Sequence, residues 1–146
     1  MSDRINGRPP VSFWIIAGVA LVWNLIGVMI FYMQVSATPE DLAQYYNETE
    51  LAFLTSIPAW ATAANAVAVI AGVLGCAFLL MRKIWAVPMF IISLLGIVVQ
   101  DIHAFAIADG IAVWGAGAAV LPLVVLVIGV GLILYSRVAR EKHWIE

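Results

Sequence analysis

The sequence predicts an all-α membrane protein, a bundle of four transmembrane helices with short helices lying in the outer interface. Three observations predict it. The chain has 146 residues of which 64% are hydrophobic and only 11% charged, a balance foreign to soluble domains. Its apolar residues gather into four runs, each meeting the requirement of roughly 20 residues for crossing a hydrocarbon core about 30 Å thick. Finally, all 7 Lys and Arg flank these runs on one side.

The runs are residues 11–35, 58–81, 84–108 and 117–136. They leave a short head, an outer loop over 36–57, two tight connections and a short tail, so a single transmembrane domain with no soluble catalytic unit is expected. Arg4 and Arg8 precede span 1, Arg82 and Lys83 join spans 2 and 3, and Arg137, Arg140 and Lys142 follow span 4. By the positive-inside rule both termini are cytoplasmic. Glu40, Asp41, Glu48, Glu50 and Asp109 fall on the other side. Val35-Ser36-Ala37 loosely resembles a signal-cleavage site, but the run before it exceeds the roughly 7 to 15 residues of a signal h-region, and span 1 is expected to stay.

Each element has its own signals. In span 1, Ala17, Ala20, Asn24, Gly27, Phe31 and Gln34 recur in alternating steps of three and four, one stripe that faces protein. In the outer loop, Thr38-Pro39 with Asp41 starts one short helix, and Asn47 with Glu50 starts a second. Their apolar residues place them in the outer interface beside Trp60 and Trp114, while Trp14, Trp85 and Trp144 mark the inner one. Asn47-Glu48-Thr49 also matches a glycosylation acceptor, a short pattern that nothing else in the chain supports. Span 2 carries Trp60, Ala64, Ala68, Gly72 and Cys76 at four-residue steps, the small-residue spacing that lets helices approach closely, with Asn65 beside it. Span 3 carries Ser93, Gly96, Gln100 and His103 on one stripe. Span 4 has no hydrogen-bonding side chain between its ends and is expected to be a lipid-facing or scaffold helix, with Pro122 near its outer start, where a missing amide costs little.

At a rise of about 1.5 Å per residue, Gln100 and Asp101 lie in the outer third of the membrane, Asn65 about 10 Å below the outer edge and Asn24 near the midplane. Two readings of this gradient stay open. Asn24, Gln34, Asn65 and Gln100 either hydrogen-bond between helices as structural glue, or line an aqueous vestibule open to the outside. Asp101 lies off the Gln100–His103 stripe and has no Lys or Arg on its side of the membrane. It is therefore wet, protonated or bonded to neutral donors such as Asn65 or Gln34, and a membrane carboxylate without a fixed counter-ion suits proton or cation coupling.

Other classes are excluded or disfavoured. With one cysteine, Cys76, no intramolecular disulfide can form. His103 and His143 lie on opposite sides, so no haem or metal site and no cofactor is expected. No nucleophile with its base is visible, which argues against an enzyme, and nothing suggests nucleic acid. The bilayer is the expected partner, together with a homo-oligomer or a larger membrane complex.

The nearest families by size are small multidrug transporters, which carry a membrane glutamate in their first span where this chain has Asn24. A closer resemblance rests on "WNLIGV" (23–28), "FYMQV" (31–35), "PAWATAANAVAV" (58–69), "GVLGC" (72–76), "LLMRKIWA" (79–86) and "ISL" with Gln100. Across nearly the whole chain it resembles short bacterial four-span proteins often labelled sugar transporters. That resemblance implies a bacterial inner-membrane protein of four spans and implies solute transport.

The functional expectation is a small-solute, sugar-like carrier or binding protein. Asn24, Gln34, Asn65, Gln100, Asp101 and His103 would form its vestibule, with Ala64, Ala68, Gly72, Gly27 and Gly96 packing the helices. The rival is an accessory subunit of a larger complex that docks through the small-residue stripe of span 2.

Overall fold

The computed structural model describes residues 7 to 146, so Arg4 of the basic set lies outside the described residues. Four helices are long and apolar enough to cross a membrane, and the described residues contain no strand. The first is α1, Val11–Ser36. Two short helices follow in the loop, α2 (Pro39–Ala43) and α3 (Glu48–Thr55). Next come α4 (Ala59–Leu80) and α5 (Ala86–Asp101). A π-helical segment, Ile102–Ile107, carries the third span onward. The chain then turns through α6 (Gly110–Trp114) and a 3-10 turn, Ala116–Ala119, into α7, Val120–Glu141.

The short loop helices follow from their caps. Thr38 accepts from the Asp41 N–H while the Asp41 carboxylate accepts from both the Thr38 hydroxyl, at 2.8 Å, and the Thr38 N–H. Asn47 and Glu50 repeat the reciprocal arrangement at α3, each pair satisfying amides that a helix start leaves free. The Thr38 hydroxyl, and after it the Thr38 amide, holds the Asp41 carboxyl below its ordinary range. A depressed carboxyl stabilises the fold above its unfolded value, and that contribution is lost as pH falls through the folded one. Acidification below about pH 4 is therefore expected to lower the protection of the α2 amides, relative to their intrinsic exchange at each pH, while leaving protection in α4 unchanged, which amide-exchange NMR measures.

The spans pack in the order α1, α4, α5, α7, with α4 and α5 central. α4 and α5 come closest where their small residues face each other: a methyl at Gly96 would sit 2.7 Å from the Ala64 carbonyl oxygen and 2.9 Å from the Ala68 nitrogen. Ser93, one turn away, donates to the Ala68 carbonyl at 2.7 Å. α7 is peripheral, and none of its apolar stretch is buried.

The molecule has two unlike ends. On the side of the termini, here the tail side, Phe13, Leu79, Phe90, Ala139 and Ile145 form a tight core. α4 and α7 both end there in caps of the same pattern. Lys83 donates to Phe78 and Arg82 to Leu79, and Trp144 donates to Ala139 and His143 to Arg140. The residue that reverses each chain, Arg82 at φ 58° and His143 at φ 55°, is left-handed though neither is glycine. The two caps then join: the Glu146 amide donates to the Arg82 carbonyl, and the Ile84 amide to Glu146, both at 2.9 Å. Arg82 completes the junction by donating to the Trp144 carbonyl at 2.7 Å and to the Gly7 carbonyl. Trp144, expected as an interface marker, packs edge-on against Phe13 at 6.0 Å instead.

On the opposite, loop side, Trp114 of α6 takes Tyr46 and Phe53 edge-on at 5.7 and 5.9 Å. These contacts tie the long loop to the third connection, which is a short helix rather than a bare turn. α7 runs past the expected end at Ser136 to Glu141, since basic residues favour a helix C-terminus. The described Arg and Lys all lie at the tail side.

Candidate functional site

The polar residues of the spans meet in a cavity of about 400 Å³ in the loop-side half of the bundle, within the size range of small-molecule sites. α1 brings Asn24, Gly27 and Gln34, α4 brings Asn65 and Ala68, and α5 brings Ser93, Gln100 and Asp101. α7 closes one side with Leu121, Pro122 and Val125.

Two members are fixed by bonds. The Asn24 side-chain nitrogen donates to the Ala20 carbonyl at 2.9 Å and to the Cys76 sulfur at 3.4 Å. Its oxygen lies so close to Gly72 that any side chain there would collide with it. Ser93 is tied to Ala68. Asn65 and Gln100, in contrast, form no side-chain hydrogen bond with another described residue, which leaves their donors and acceptors to the cavity. One Asp101 oxygen, Oδ2, is buried without a partner.

These positions revise three expectations. The amides are not uniformly glue: Asn24 and Ser93 hold helices together, whereas Asn65 and Gln100 do not. Asp101 does not stand apart from Gln100. Both line the same cavity, because α5 lies between α4 and α7 and the space wraps around it, so neighbouring residues on different faces reach the same space. Neither Asn65 nor Gln34 donates to Asp101.

His103 is separate. It is buried, with its ring edge-on to Trp60 at 5.2 Å, and lines a second, smaller space of about 160 Å³ beneath α3 and Trp114. Gln34, Asn65 and Gln100 border both spaces. His103 lies in the π-helical segment, where the Ala108 amide reaches back five residues to its carbonyl at 2.8 Å. One inserted residue per turn shifts the side chains that follow, and such turns recur at functional sites.

The small-residue stripe of α4 is interior. Ala68, Gly72 and Cys76 are buried against α1 and α5, so it does not offer the docking face expected of an accessory subunit. Tethered helices of one chain use close-packing surfaces first. Among the packing residues, Ala64 and Gly96 meet as described, and Gly27 faces Val69 at 3.8 Å.

Sequence reasoning missed Trp23 and all of α7 in this site. Trp23 is apolar beside a polar stripe, and α7 has no hydrogen-bonding side chain to draw notice. Among the described residues no three His, Cys, Asp or Glu side chains gather. The cavity's chemistry is thus that of amides, one hydroxyl and one carboxyl.

Fold and site define a class, a small multi-pass α-helical membrane protein with a mainly apolar cavity near one face that holds a few polar side chains. In comparisons with known proteins, the chain matches no family model, no curated protein and no solved structure.

Proposed function

We propose that this protein is a carrier or binding protein for a small solute, set in a bacterial inner membrane with both ends cytoplasmic and its cavity toward the outside. The observation that carries the proposal is that the Asn65 and Gln100 amides, which bond to no other described side chain or backbone group, line one cavity together with the Asp101 carboxyl. A hydrogen bond from a solute to such a group is worth about 0.5 to 1.5 kcal/mol net, and more where the group is charged. The basic residues at the tail side support the orientation through the positive-inside rule. The resemblance to four-span proteins labelled sugar transporters supports a solute with hydroxyl or amine groups. Gln100 and Asn65 hold it, and Asp101 pairs with its donor or with a coupling cation.

Flux into proteoliposomes tests this. The protein is reconstituted and uptake or binding of a panel of sugars, small amines and long-chain amines is measured with and without a pH gradient. Wild type is expected to transport or to be thermally stabilised by a member of the panel. Asp101→Asn and Gln100→Leu should each weaken the response about 10- to 100-fold, the equivalent of losing one charged or buried hydrogen bond. No uptake and no stabilisation by any solute would overturn the proposal.

A further inference from the structure

The cavity opens in a direction that a solute arriving from water does not need. α1 and α7 are not a principal packing pair of the bundle, and residues of both line the loop-side cavity. They meet at the tail side, where Phe13 stacks on Tyr135 with ring centroids 6.3 Å apart. Two helices joined at one end and parted at the other leave a wedge, and the cavity occupies it.

The lips of the wedge are apolar, with Trp23, Ile26 and Ile30 on α1 and Leu121, Pro122 and Val125 on α7. Ile30 is 55% and Leu121 61% exposed. On α1 Ile30 and on α7 Val125 lie about 8 to 9 Å inside the loop-side ends of their helices, at a depth occupied by hydrocarbon chains, and Leu121 stands at the loop-side start of α7. The mouth of the cavity therefore faces lipid. Polar groups stand at the back, where the Asp101 carboxyl lines the same cavity as the Gln100 and Asn65 side chains and no Lys or Arg lines it. An ionised carboxylate in such surroundings demands a positive partner, whereas the lips fit a chain that substitutes for lipid.

We infer that the cavity admits, sideways from the adjoining leaflet, an amphiphile with an ammonium head group and an aliphatic body. The head sits on Asp101 and the amides of Gln100 and Asn65, and the body lies between α1 and α7. The inference rests on the solute-binding proposal and names the chemical class of the solute.

Titrations in phosphatidylcholine nanodiscs test it, with dodecylamine at pH 7.5, dodecyl maltoside, ethylamine and glucose as probes. Thermal midpoint and saturation of tryptophan fluorescence are the readouts. Dodecylamine should bind saturably and raise the midpoint, and ethylamine and glucose should do neither. Asp101→Asn should weaken dodecylamine binding at least tenfold. Leu121→Trp and Ile30→Trp, which fill the mouth from opposite lips without touching the polar wall, should do the same. Val127→Trp, on the lipid face of α7 at 71% exposure, should leave binding unchanged.

Equal weakening by Val127→Trp, or none by Leu121→Trp and Ile30→Trp, overturns the sideways entry. Binding of dodecyl maltoside as tight as that of dodecylamine overturns the ammonium head. Stabilisation by glucose alone, lost in Asp101→Asn and Gln100→Leu, overturns this inference and leaves the solute-binding proposal standing. No response to any probe overturns both.

Discussion

Gly96→Val is expected to destabilise the bundle by about 2 to 5 kcal/mol. The added Cβ would stand 2.7 Å from the Ala64 carbonyl oxygen and 2.9 Å from the Ala68 nitrogen. These are backbone atoms of a continuous helix, so neither can swing aside. α4 and α5 must part, and overpacking of this kind costs about 1 to 3 kcal/mol. Parting also strains the Ser93 bond to Ala68, one turn along the same face, worth about 0.6 to 2 kcal/mol in a membrane. Gly129→Ala meets only flexible side-chain tips, Leu94 at 3.1 Å and Ile97 at 3.9 Å, and Gly131→Ala meets open space. Both should unfold within about 1 kcal/mol of wild type. Equilibrium unfolding in mixed micelles ranks the three, and a Gly96→Val midpoint equal to that of Gly131→Ala contradicts the α4–α5 contact.

Arg82→Ala is expected to cost about 2 to 3 kcal/mol and to free the tail. The guanidinium spans three segments by donating to the carbonyls of Gly7 and Trp144 while its own backbone pairs with Glu146. Bonds from a charged donor are worth about 1.5 to 3 kcal/mol, and without them the Trp144 carbonyl loses its partner. Arg82 also carries left-handed backbone, which costs a non-glycine residue about 1 kcal/mol. Arg82→Gly removes the same hydrogen bonds but relieves that backbone cost, so it should be about 1 kcal/mol less damaging than Arg82→Ala. Limited proteolysis after Lys142 should accelerate in both variants. If Arg82→Gly proves the worse of the two, the left-handed conformation is not limiting.

Much of this molecule is local in sequence and therefore legible there. The span 1 stripe holds along its tail-side half, where Ala17 and Ala20 are buried, because a helix repeats its face every three or four residues. The caps at Thr38 and Asn47 are equally local. The site was only half legible. Periodicity selected Asn24 and Gln100, and polarity within the spans added Asn65 and Asp101, yet neither gave a means to tell a residue spent on a neighbour, as Asn24 is on Cys76, from one left free, as Gln100 is. That distinction depends on distances between helices. Periodicity also separated Asp101 from Gln100 by angle, where the deciding fact was that α7 covers the other flank of α5. The π turn carries no proline or glycine to announce it. The tail-side junction is made of backbone bonds between residues far apart in the chain, which side-chain patterns do not encode.

The joined caps at the tail side give the bundle a fulcrum. With α1, α4 and α7 pinned together around Arg82, a small rotation of α1 against α7 displaces each point in proportion to its distance from Phe13. Ile30 lies about 25 Å along the helix from that pivot, so a tilt of a few degrees moves it by more than an ångström while Phe13 stays in contact with Tyr135. Width at the far end is thus the softest dimension of the molecule, and it is there that a bound molecule, a thicker bilayer or a crowding neighbour would register first.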